Sequence, residues 1–336
     1  MSELTPTDVP FSDRAARPRV SIGLPVRNGM PYLPASLESL LAQDETNIEI
    51  VISDNASDDG TGDYCRSLAS RDSRVSYHHN KVNIGASANF HRVVTLSSSP
   101  LFAWAAHDDL YARSFVSRCA AELDADSSVA GCVPAHRVID ENGEVLYVRT
   151  EPAQLASPDL EARLRAHLWR LGKLTLYGVW RKDVLLRIGP PLPVWGADVI
   201  LVWRALFLAP VATIPDALTD YRVFRNKTVD AQISGLTAME SRAHFSHVRI
   251  TKNLASAAIE IAPTPSDRET SDRVLRRWVF TRYYRQLAFA DLFVEARRYW
   301  DEGAHLRAVA LLAVMAVVSP GRSLDGLRRL RKYRHL

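Results

Sequence analysis

The strongest constraint on the fold of this chain comes from four short apolar segments. Each of them is followed by polar residues and then by a helical pattern. Between residues 20 and 125, strands and helices alternate four times. Such alternation is typical of a parallel sheet that is covered by helices on both faces. The sequence therefore predicts an α/β fold with a mainly parallel, Rossmann-like sheet and flanking helices. The predicted strands are 20–24, a segment that ends at Ser53-Asp54, 74–79 and 101–106.

Polar residues gather where each predicted strand ends. In parallel sheets, ligands bind beyond the carboxyl ends of the strands, and random surface polarity would not select four consecutive strand ends. This arrangement predicts a ligand site at that edge. Its residues are Arg27 and Asn28 after the first strand, Asp54 and Asn55 after the second, Asn83 after the third, and His107, Asp108 and Asp109 after the fourth.

Two interpretations of His107-Asp108-Asp109 are open on residue type alone. An aspartate is a favoured N-cap, and a helix is predicted over 111–124. Alternatively, two adjacent carboxylates suit a nucleoside diphosphate, one for the ribose and one for a Mg²⁺ or Mn²⁺ ion that phosphate oxygens and water also coordinate. The helix that starts near Gly85 would direct its first amides toward such an anion. Polar residues at the neighbouring strand ends favour the ligand interpretation.

The charge of the chain is unevenly distributed. The 336 residues carry a net charge of +4, yet Asp267 to Leu336 alone hold 15 Lys and Arg against 8 Asp and Glu. The preceding 266 residues hold 27 against 30. A basic C-terminal quarter points to a local anionic partner. Because no basic run is interleaved with aromatic residues, we expect no nucleic-acid binding.

The C-terminal apolar stretch, 308–318, has eleven residues. At ~1.5 Å per residue it reaches about half of the ~30 Å hydrocarbon core of a bilayer, so it predicts a buried helix and not a membrane span. The tail after it, 322–336, is cationic with leucines at helical spacing. It is either a segment that lies on an anionic membrane surface or a solvated basic face.

Two further features indicate the compartment and the ends of the fold. The three cysteines are far apart and show no metal-ligand spacing, which is typical of core residues in a reducing compartment. Residues 1–18 have no apolar run, so we expect neither a signal peptide nor a membrane span there, but a short disordered lead-in. The protein is expected to be cytoplasmic, with peripheral attachment to the inner face of the membrane as an open option.

The second half of the chain has a weaker pattern. Residues 129–150 predict a hairpin with its turn at 141–144. A helix follows near 157–171, another opens near Asp198, short strands run to Tyr221-Arg222, and the pattern is helical from about 238.

Four ordered motifs resemble family 2 glycosyltransferases, the GT-A-fold enzymes that use nucleotide-sugar donors. They are VSIGLPVRNGMPYLPASLESLLAQ, IVISDNASDDGT, NIGASANF and WAAHDDLYA. The resemblance is specific from about 20 to 125, weakens to about 225, and is slight from 230 onward. It implies a GT-A catalytic domain at 19–235, with a nucleotide-binding half (19–125) and an acceptor half (126–235), followed by a helical extension with a basic tail (236–336).

The resemblance implies a role for each matching residue. Pro25 and Asn28 would border the base pocket, Asp54 would contact the base, and Asn83 and Gly85 would close around the nucleoside. Arg27, which departs from the family pattern, would reach a phosphate or stack on the base. Asp108 would hold the ribose and Asp109 the metal, because His107-Asp108-Asp109 stands where the family has its Asp-x-Asp type motif. Asp198 would be the general base that deprotonates the acceptor hydroxyl in inverting members. A simple helix cap is the alternative for Asp198.

Three positions depart from the family pattern. Arg27 replaces a frequent aromatic residue, and His107 replaces a frequent aspartate, so His107 is a candidate nitrogen ligand of the metal. Phe224-Arg225 stands where many members have a histidine, and Arg225 is a candidate for neutralising the diphosphate. Tyr177, Gly178 and Trp180 fall in the acceptor region, although a core strand is an equally open interpretation.

The resulting hypothesis is an inverting transferase that moves a sugar from a nucleotide-diphosphate sugar, with UDP as the expected nucleotide, to a hydroxyl of a glycan, a glycolipid or a secondary metabolite. Mn²⁺ or Mg²⁺ is the expected cofactor. The alternative is a nucleotide-sugar-binding or scaffold protein that keeps the fold without turnover. A nicotinamide-dependent oxidoreductase is disfavoured, because no G-x-G-x-x-G follows the first strand.

Overall fold

The computed structural model describes residues 17–170, 174–194, 196–224 and 247–285, together with Trp300, Gly303, His305, Leu306 and Val309. The chain divides into two compact units, Met1–Ala238 and Met239–Leu336. Residues 1–16 of the predicted lead-in, Arg225 and the whole of the basic tail (322–336) lie outside the described residues.

The first unit contains nine strands and seven α-helices among its described residues. The strands are β1 (Val20–Val26), β2 (Ile48–Asp54), β3 (Val75–His79), β4 (Leu101–Trp104), β5 (Leu110–Tyr111), β6 (Gly131–Ile139), β7 (Val145–Arg149), β8 (Val179–Arg181) and β9 (Val211–Arg222). The helices are α1 (Leu33–Leu41), α2 (Thr61–Arg71), α3 (Ala86–Leu96), α4 (Phe115–Ala125), α5 (Leu160–Arg170), α6 (Lys182–Ile188) and α7 (Ala197–Leu208).

The strands form one sheet in the order β3-β2-β1-β4-β8-β6-β9-β5, with β7 paired to β6. The first four strands are parallel, as the alternation of strands and helices predicts. Strand β9 is parallel to β6, whereas β8 runs antiparallel to both β4 and β6. The predicted fold class is confirmed, and the longest ladders are parallel.

Helices cover both faces of the parallel half, which explains why its strands read as nearly continuous apolar runs. On one face, alternate residues of β1 pack with the buried side of α1, with Cys65 of α2 and with Cys119 of α4. The opposite face takes α3, whose Val93 lies close to Gly23 of β1. Cys132 is buried as well, and all three cysteines are free thiols.

One element differs from the sequence prediction. The helix expected over 111–124 begins only at Phe115, because residues 110 and 111 form the short strand β5 instead. Leu110 and Tyr111 pair with Asp220 and Thr219 of β9. The segment is thus a strand because it pairs with β9, which starts about 100 residues later. The local sequence does not predict that pairing.

In the second unit, α8 (His247–Ile261) and α9 (Pro265–Arg285) are described. The start of α9 is capped reciprocally, since the Asp267 amide donates to the Thr264 hydroxyl and that hydroxyl donates to the Asp267 carboxylate. Within the described parts of the chain, no helix is long and apolar enough to cross a membrane.

We expect Gly23→Ala to destabilise the first unit by about 1–3 kcal/mol, the usual cost of overpacking a core. A β-carbon at residue 23 would overlap the ring tip of Phe102 and lie 2.8 Å from Cβ of Val93. Urea unfolding measures the loss, and Phe102→Leu in the same chain should recover part of it, because the ring tip is removed. Equal urea midpoints for Gly23→Ala and the unchanged protein would refute this account.

Candidate active site

The loop after β1 is tied to the loop after β2 by backbone amides. The Asn28 amide donates to the Ser57 hydroxyl at 2.9 Å, and the Gly29 amide donates to the Thr61 hydroxyl at 2.8 Å. Asn28 has a φ of 53°, in the left-handed region, and its side-chain oxygen accepts the Asp58 amide. Two strand ends of the parallel half therefore share one rigid rim.

Pro25 and Arg27 occupy different positions on this rim. Pro25 is buried inside β1, in register with Ser53 of β2. Arg27 is exposed and makes no hydrogen bond or ion pair with any residue that the structure describes. Its guanidinium is therefore available to a ligand at the carboxyl end of the sheet.

Asp54 is fully buried at the end of β2, and protein groups engage both of its carboxylate oxygens. Oδ1 accepts the Ser57 amide at 3.0 Å, and Oδ2 accepts the Tyr77 hydroxyl at 2.8 Å. His79 Nδ1 lies 3.4 Å from the same Oδ2. A direct contact between Asp54 and a nucleobase would require an exchange of these bonds, so that role stays a prediction.

Asn55, which follows Asp54, organises the loop after β3. Its Nδ2 donates to Asn83 Oδ1 at 2.7 Å, and its Oδ1 accepts the Ile84 amide at 2.9 Å. Asn83 Oδ1 also accepts the amide of Gly85, whose φ of 84° favours glycine. These bonds place Asn83 and Gly85 at the start of α3 and beside the end of β2.

Behind this loop, Asn89 of α3 joins the same network. Its Oδ1 accepts the Ser53 hydroxyl at 2.7 Å and Asn80 Nδ2 at 3.0 Å, while its own Nδ2 donates to the Ser53 carbonyl. Ser53, Asn80 and Asn89 are buried, so each lost bond would leave a desolvated polar group. Sequence reasoning missed Asn80 and Asn89, although the cluster of asparagines at strand ends was visible.

The turn after β4 carries His107, Asp108 and Asp109. His107 packs close to the loop after β1, because a β-carbon on Gly29 would lie 3.4 Å from Cβ of His107. His107 and Asp108 are half-buried, and Asp109 is only 4% exposed. The Tyr111 hydroxyl accepts the Ala106 amide at 2.9 Å, which closes the turn.

Arg222, the last residue of β9, holds this turn at several points. Its amide donates to Asp109 Oδ1 at 2.8 Å, and its Nε donates to the Asp108 carbonyl at 2.8 Å. Its Nη1 donates to the carbonyls of Asp140 and Glu141 at 3.1 and 3.2 Å. The guanidinium also lies 4.9 Å from the ring centroid of Tyr32, just before α1. Arg222 thus connects three loops around the acidic pair.

Asp198 lies in the first turn of α7 and is half-buried. Its Oδ1 accepts the Val199 amide at 2.9 Å. His167 of α5 fixes the same turn, because its Nε2 lies 2.9 Å from the Val199 carbonyl. Burial lowers the pKa of His167 to about 4, so the imidazole is neutral near pH 7 and donates through Nε2. Sequence reasoning missed His167, since it belongs to a distant helix.

Tyr177 and Tyr221 form a pair of rings beside the acidic turn, with ring centroids 6.3 Å apart. Tyr221 precedes Arg222, and Tyr177 follows the turn Leu174–Leu176, which packs against α7. Burial raises the pKa of each phenol, and the negative charges of Asp109 and Asp198 raise both further.

One candidate residue cannot be located, because Arg225 lies outside the described residues. Within the described ranges, no group of three or more His, Cys, Asp or Glu residues is arranged to hold a metal ion.

Comparison with known proteins links this geometry to one family. Residues 21–180 match the family model described as glycosyl transferase family 2. An uncharacterized glycosyltransferase of Rickettsia bellii (strain RML369-C) is 30% identical over 131 residues, which cover 39% of this chain and 19% of that protein. An uncharacterized glycosyltransferase of Nostoc sp. is 24% identical over 214 residues, which cover 61% of this chain and 65% of that protein. The chain spans 19%, 22% and 40% of the first three relatives that it matches.

Solved structures support the fold. S. aureus TarS 1–349 superposes with a TM-score of 0.62 at 14% identity, over 94% of this chain and 91% of that one. The same protein in complex with UDP gives a TM-score of 0.61 at 16% identity, with the same coverage. Similarity at this level of identity bears on the fold alone, which is of the GT-A type. Over residues 21–180, the chain is similar to glycosyl transferase family 2.

Proposed function

We propose that this protein transfers a sugar, with inversion, from a nucleotide-diphosphate sugar to a hydroxyl of an acceptor. The observation that carries the proposal is the convergence of the loops after β1, β2, β3 and β4 at one edge of the sheet, where Arg222 holds Asp109. Transfer needs one group for the departing diphosphate and another for the acceptor hydroxyl, on opposite sides of the anomeric carbon. Asp109 and Asp198 suit these two tasks.

UDP is the nucleotide that we propose. TarS, which shares the fold, has been crystallised with UDP and with UDP-GlcNAc. In this chain, Pro25, Arg27 and Asn28 would border the base together with Asp54. Asn83 and Gly85 would close over the nucleoside, and Asp108 would accept hydrogen bonds from the ribose. Arg225 would approach the diphosphate.

Asp109 suits a divalent cation such as Mn²⁺ or Mg²⁺. Its Oδ1 is held by the Arg222 amide, and its Oδ2 accepts no hydrogen bond from the described residues. Burial first, and then the charge of Asp108, raise the pKa of Asp109 well above its usual value. A cation would relieve both effects, and His107 is a second candidate ligand. When bound, the metal would stabilise the negative charge of the leaving diphosphate.

Asp198 is the proposed general base. Its carboxylate would take the proton of the acceptor hydroxyl while that oxygen bonds to the anomeric carbon. The bond from the anomeric carbon to the diphosphate breaks on the opposite side, and the configuration inverts. The Val199 amide and His167 hold the first turn of α7, so the base would be oriented before the acceptor binds.

The acceptor, the partners and the location belong to the same proposal. We propose a glycan or a lipid-linked acceptor, a cytoplasmic location, and attachment of the basic tail (322–336) to the inner face of an anionic membrane. The catalytic domain is proposed to extend from 19 to 235, and the extension from 236 to 336.

We expect Asp198→Asn to lower sugar transfer by about 10²- to 10⁴-fold, the usual contribution of a general base. Asparagine keeps an oxygen that accepts the Val199 amide, so the first turn of α7 should keep its structure. The affinity for UDP should therefore stay within about twofold of the wild-type value, since a tenfold change would need ~1.4 kcal/mol. UDP release from UDP-sugars against an acceptor panel gives the rate, and calorimetry gives the UDP affinity. Asp183→Asn is the matched control, because Asp183 is an exposed acid in the first turn of α6. Wild-type transfer by Asp198→Asn would disprove the assignment.

We expect Asp109→Asn to abolish sugar transfer. The same substitution should raise Tm at pH 7.5 in EDTA by at least ~2–4 °C, the shift that a stabilisation of about 1 kcal/mol produces in a domain of this size. Since the folded-state pKa of Asp109 is raised, its ionised form costs stability above the unfolded pKa. The gain in Tm should shrink as pH falls and Asp109 protonates. Scanning calorimetry from pH 7.5 to 4 measures it.

Asp126→Asn is the control for that experiment. Hydrogen bonds from Ser128 lower the pKa of Asp126, so this variant should show no gain in Tm at pH 7.5. An unchanged or lower Tm for Asp109→Asn would contradict the electrostatic account of the site.

We expect Arg222→Lys to lower kcat/KM for the donor at least about tenfold, which is ~1.4 kcal/mol. Lysine keeps the charge but cannot reach the carbonyls of Asp108, Asp140 and Glu141 together. Arg137→Lys is the control, because Arg137 makes a two-bond ion pair with Asp220 near the surface. Equal donor kinetics for Arg222→Lys and the unchanged protein would exclude a positioning role.

A further inference from the structure

Two tyrosine hydroxyls at the candidate site have no partner. Tyr177 and Tyr221 are half-buried, with ring centroids 6.3 Å apart. Neither hydroxyl makes a hydrogen bond with any residue that the structure describes, and neither is enclosed away from solvent. Other tyrosines nearby are bonded, since Tyr77 donates to Asp54 and Tyr111 accepts from Ala106. Because both hydroxyls reach solvent, they are available to a ligand with hydrogen-bonding groups.

Both rings are fixed by the backbone that carries them. Tyr177 stands in a tight turn before β8, where its amide donates to the Leu174 carbonyl at 2.9 Å. Gly178, the next residue, packs directly on the Cys132 carbonyl of β6, which leaves no room for a β-carbon. Tyr221 lies in β9, in register with Val138 of β6. The pair is therefore a rigid wall and not a flexible loop.

The wall lies between the groups that the proposed reaction uses. Tyr221 precedes Arg222, whose amide bonds to Asp109. On the other side, the turn Leu174–Leu176, which leads into Tyr177, packs against α7, whose first turn carries Asp198. In an inverting transfer, the anomeric carbon lies between the leaving diphosphate and the attacking hydroxyl. With the diphosphate at Asp109 and the acceptor at Asp198, the ring of the transferred sugar would lie beside this wall.

We propose that Tyr177 and Tyr221 bind the transferred sugar and select a neutral pyranose. The inference rests on the proposed function and deepens it by naming the sugar class. Aromatic faces offer apolar area to the C–H face of a pyranose, and each phenol offers a donor and an acceptor to its hydroxyls. The carboxylates of Asp108, Asp109 and Asp198 disfavour a sugar that carries its own negative charge.

The test compares the use of different sugar donors by variants that each lack one tyrosine hydroxyl. Tyr177→Phe and Tyr221→Phe keep the ring and remove only the hydroxyl. Kinetics of UDP release are measured with UDP-glucose, UDP-galactose, UDP-GlcNAc and UDP-glucuronate, and the affinity for UDP alone is measured by calorimetry. Tyr147→Phe is the control, because Tyr147 is an exposed residue of β7.

We expect each site variant to change the ratio of kcat/KM between the two best donors by about 3- to 10-fold, the effect of one neutral hydrogen bond. UDP affinity should stay within about twofold, because UDP lacks the sugar, and Tyr147→Phe should change neither. UDP-glucuronate should be the poorest donor of the wild-type protein.

Three outcomes would overturn the inference. Unchanged donor ratios in both variants, with the wild-type protein active, would remove the tyrosines from sugar recognition and leave the proposed function standing. Glucuronate as the best wild-type donor would exclude the neutral sugar class. If the wild-type protein neither bound UDP nor released it from any donor, the proposed function would fail and the inference with it.

Discussion

The hydrogen bond between the Arg222 amide and the Asp109 carboxylate joins the two halves of the sheet. Asp109 follows the last strand of the parallel half, and Arg222 ends a strand more than 100 residues later. The guanidinium of Arg222 adds bonds to the Asp108 carbonyl and to the turn between β6 and β7. Together with the pairing of Leu110 and Tyr111 with β9, this connection fixes the acidic turn beside the end of β9.

Buried polar groups support the other side of the site. Asp54, Asn55, Asn80 and Asn89 are almost fully enclosed, and each is hydrogen-bonded to another loop or strand. Such a network costs desolvation unless all its members are paired, so it specifies one arrangement of the loops after β2 and β3. Arg27 and Asn83 are exposed beside this buried network, where a nucleotide can reach them.

Sequence alone predicted much of the fold because the parallel half obeys local rules. The strands that end at Val26, Asp54, His79 and Trp104 are apolar runs between amphipathic helices, and their polar ends do converge. The pairing of Leu110 and Tyr111 with β9 could not be predicted, since it depends on a partner far along the chain. The same reason hid His167, which contacts the first turn of α7 from a different helix.

Site chemistry was predicted less completely than site location. Residue type marked both Asp54 and Asp109 as acidic ligands. Both oxygens of Asp54 accept hydrogen bonds, whereas Oδ2 of Asp109 has no donor among the residues that the structure describes. This difference arises from Ser57 and Tyr77, which fold back onto Asp54. Spacing in a sequence identifies which carboxylates reach a strand end, whereas the local turn decides which of their oxygens are free.

The neutral state of His167 has a consequence for kinetics. Its pKa of about 4, and that of about 3 for the buried His136, lie below the range in which a transferase would be assayed. Both imidazoles therefore stay neutral near pH 7, so the support under α7 does not change there. An acid limb near neutral pH in a pH–rate profile would then not report the protonation of His167 or His136.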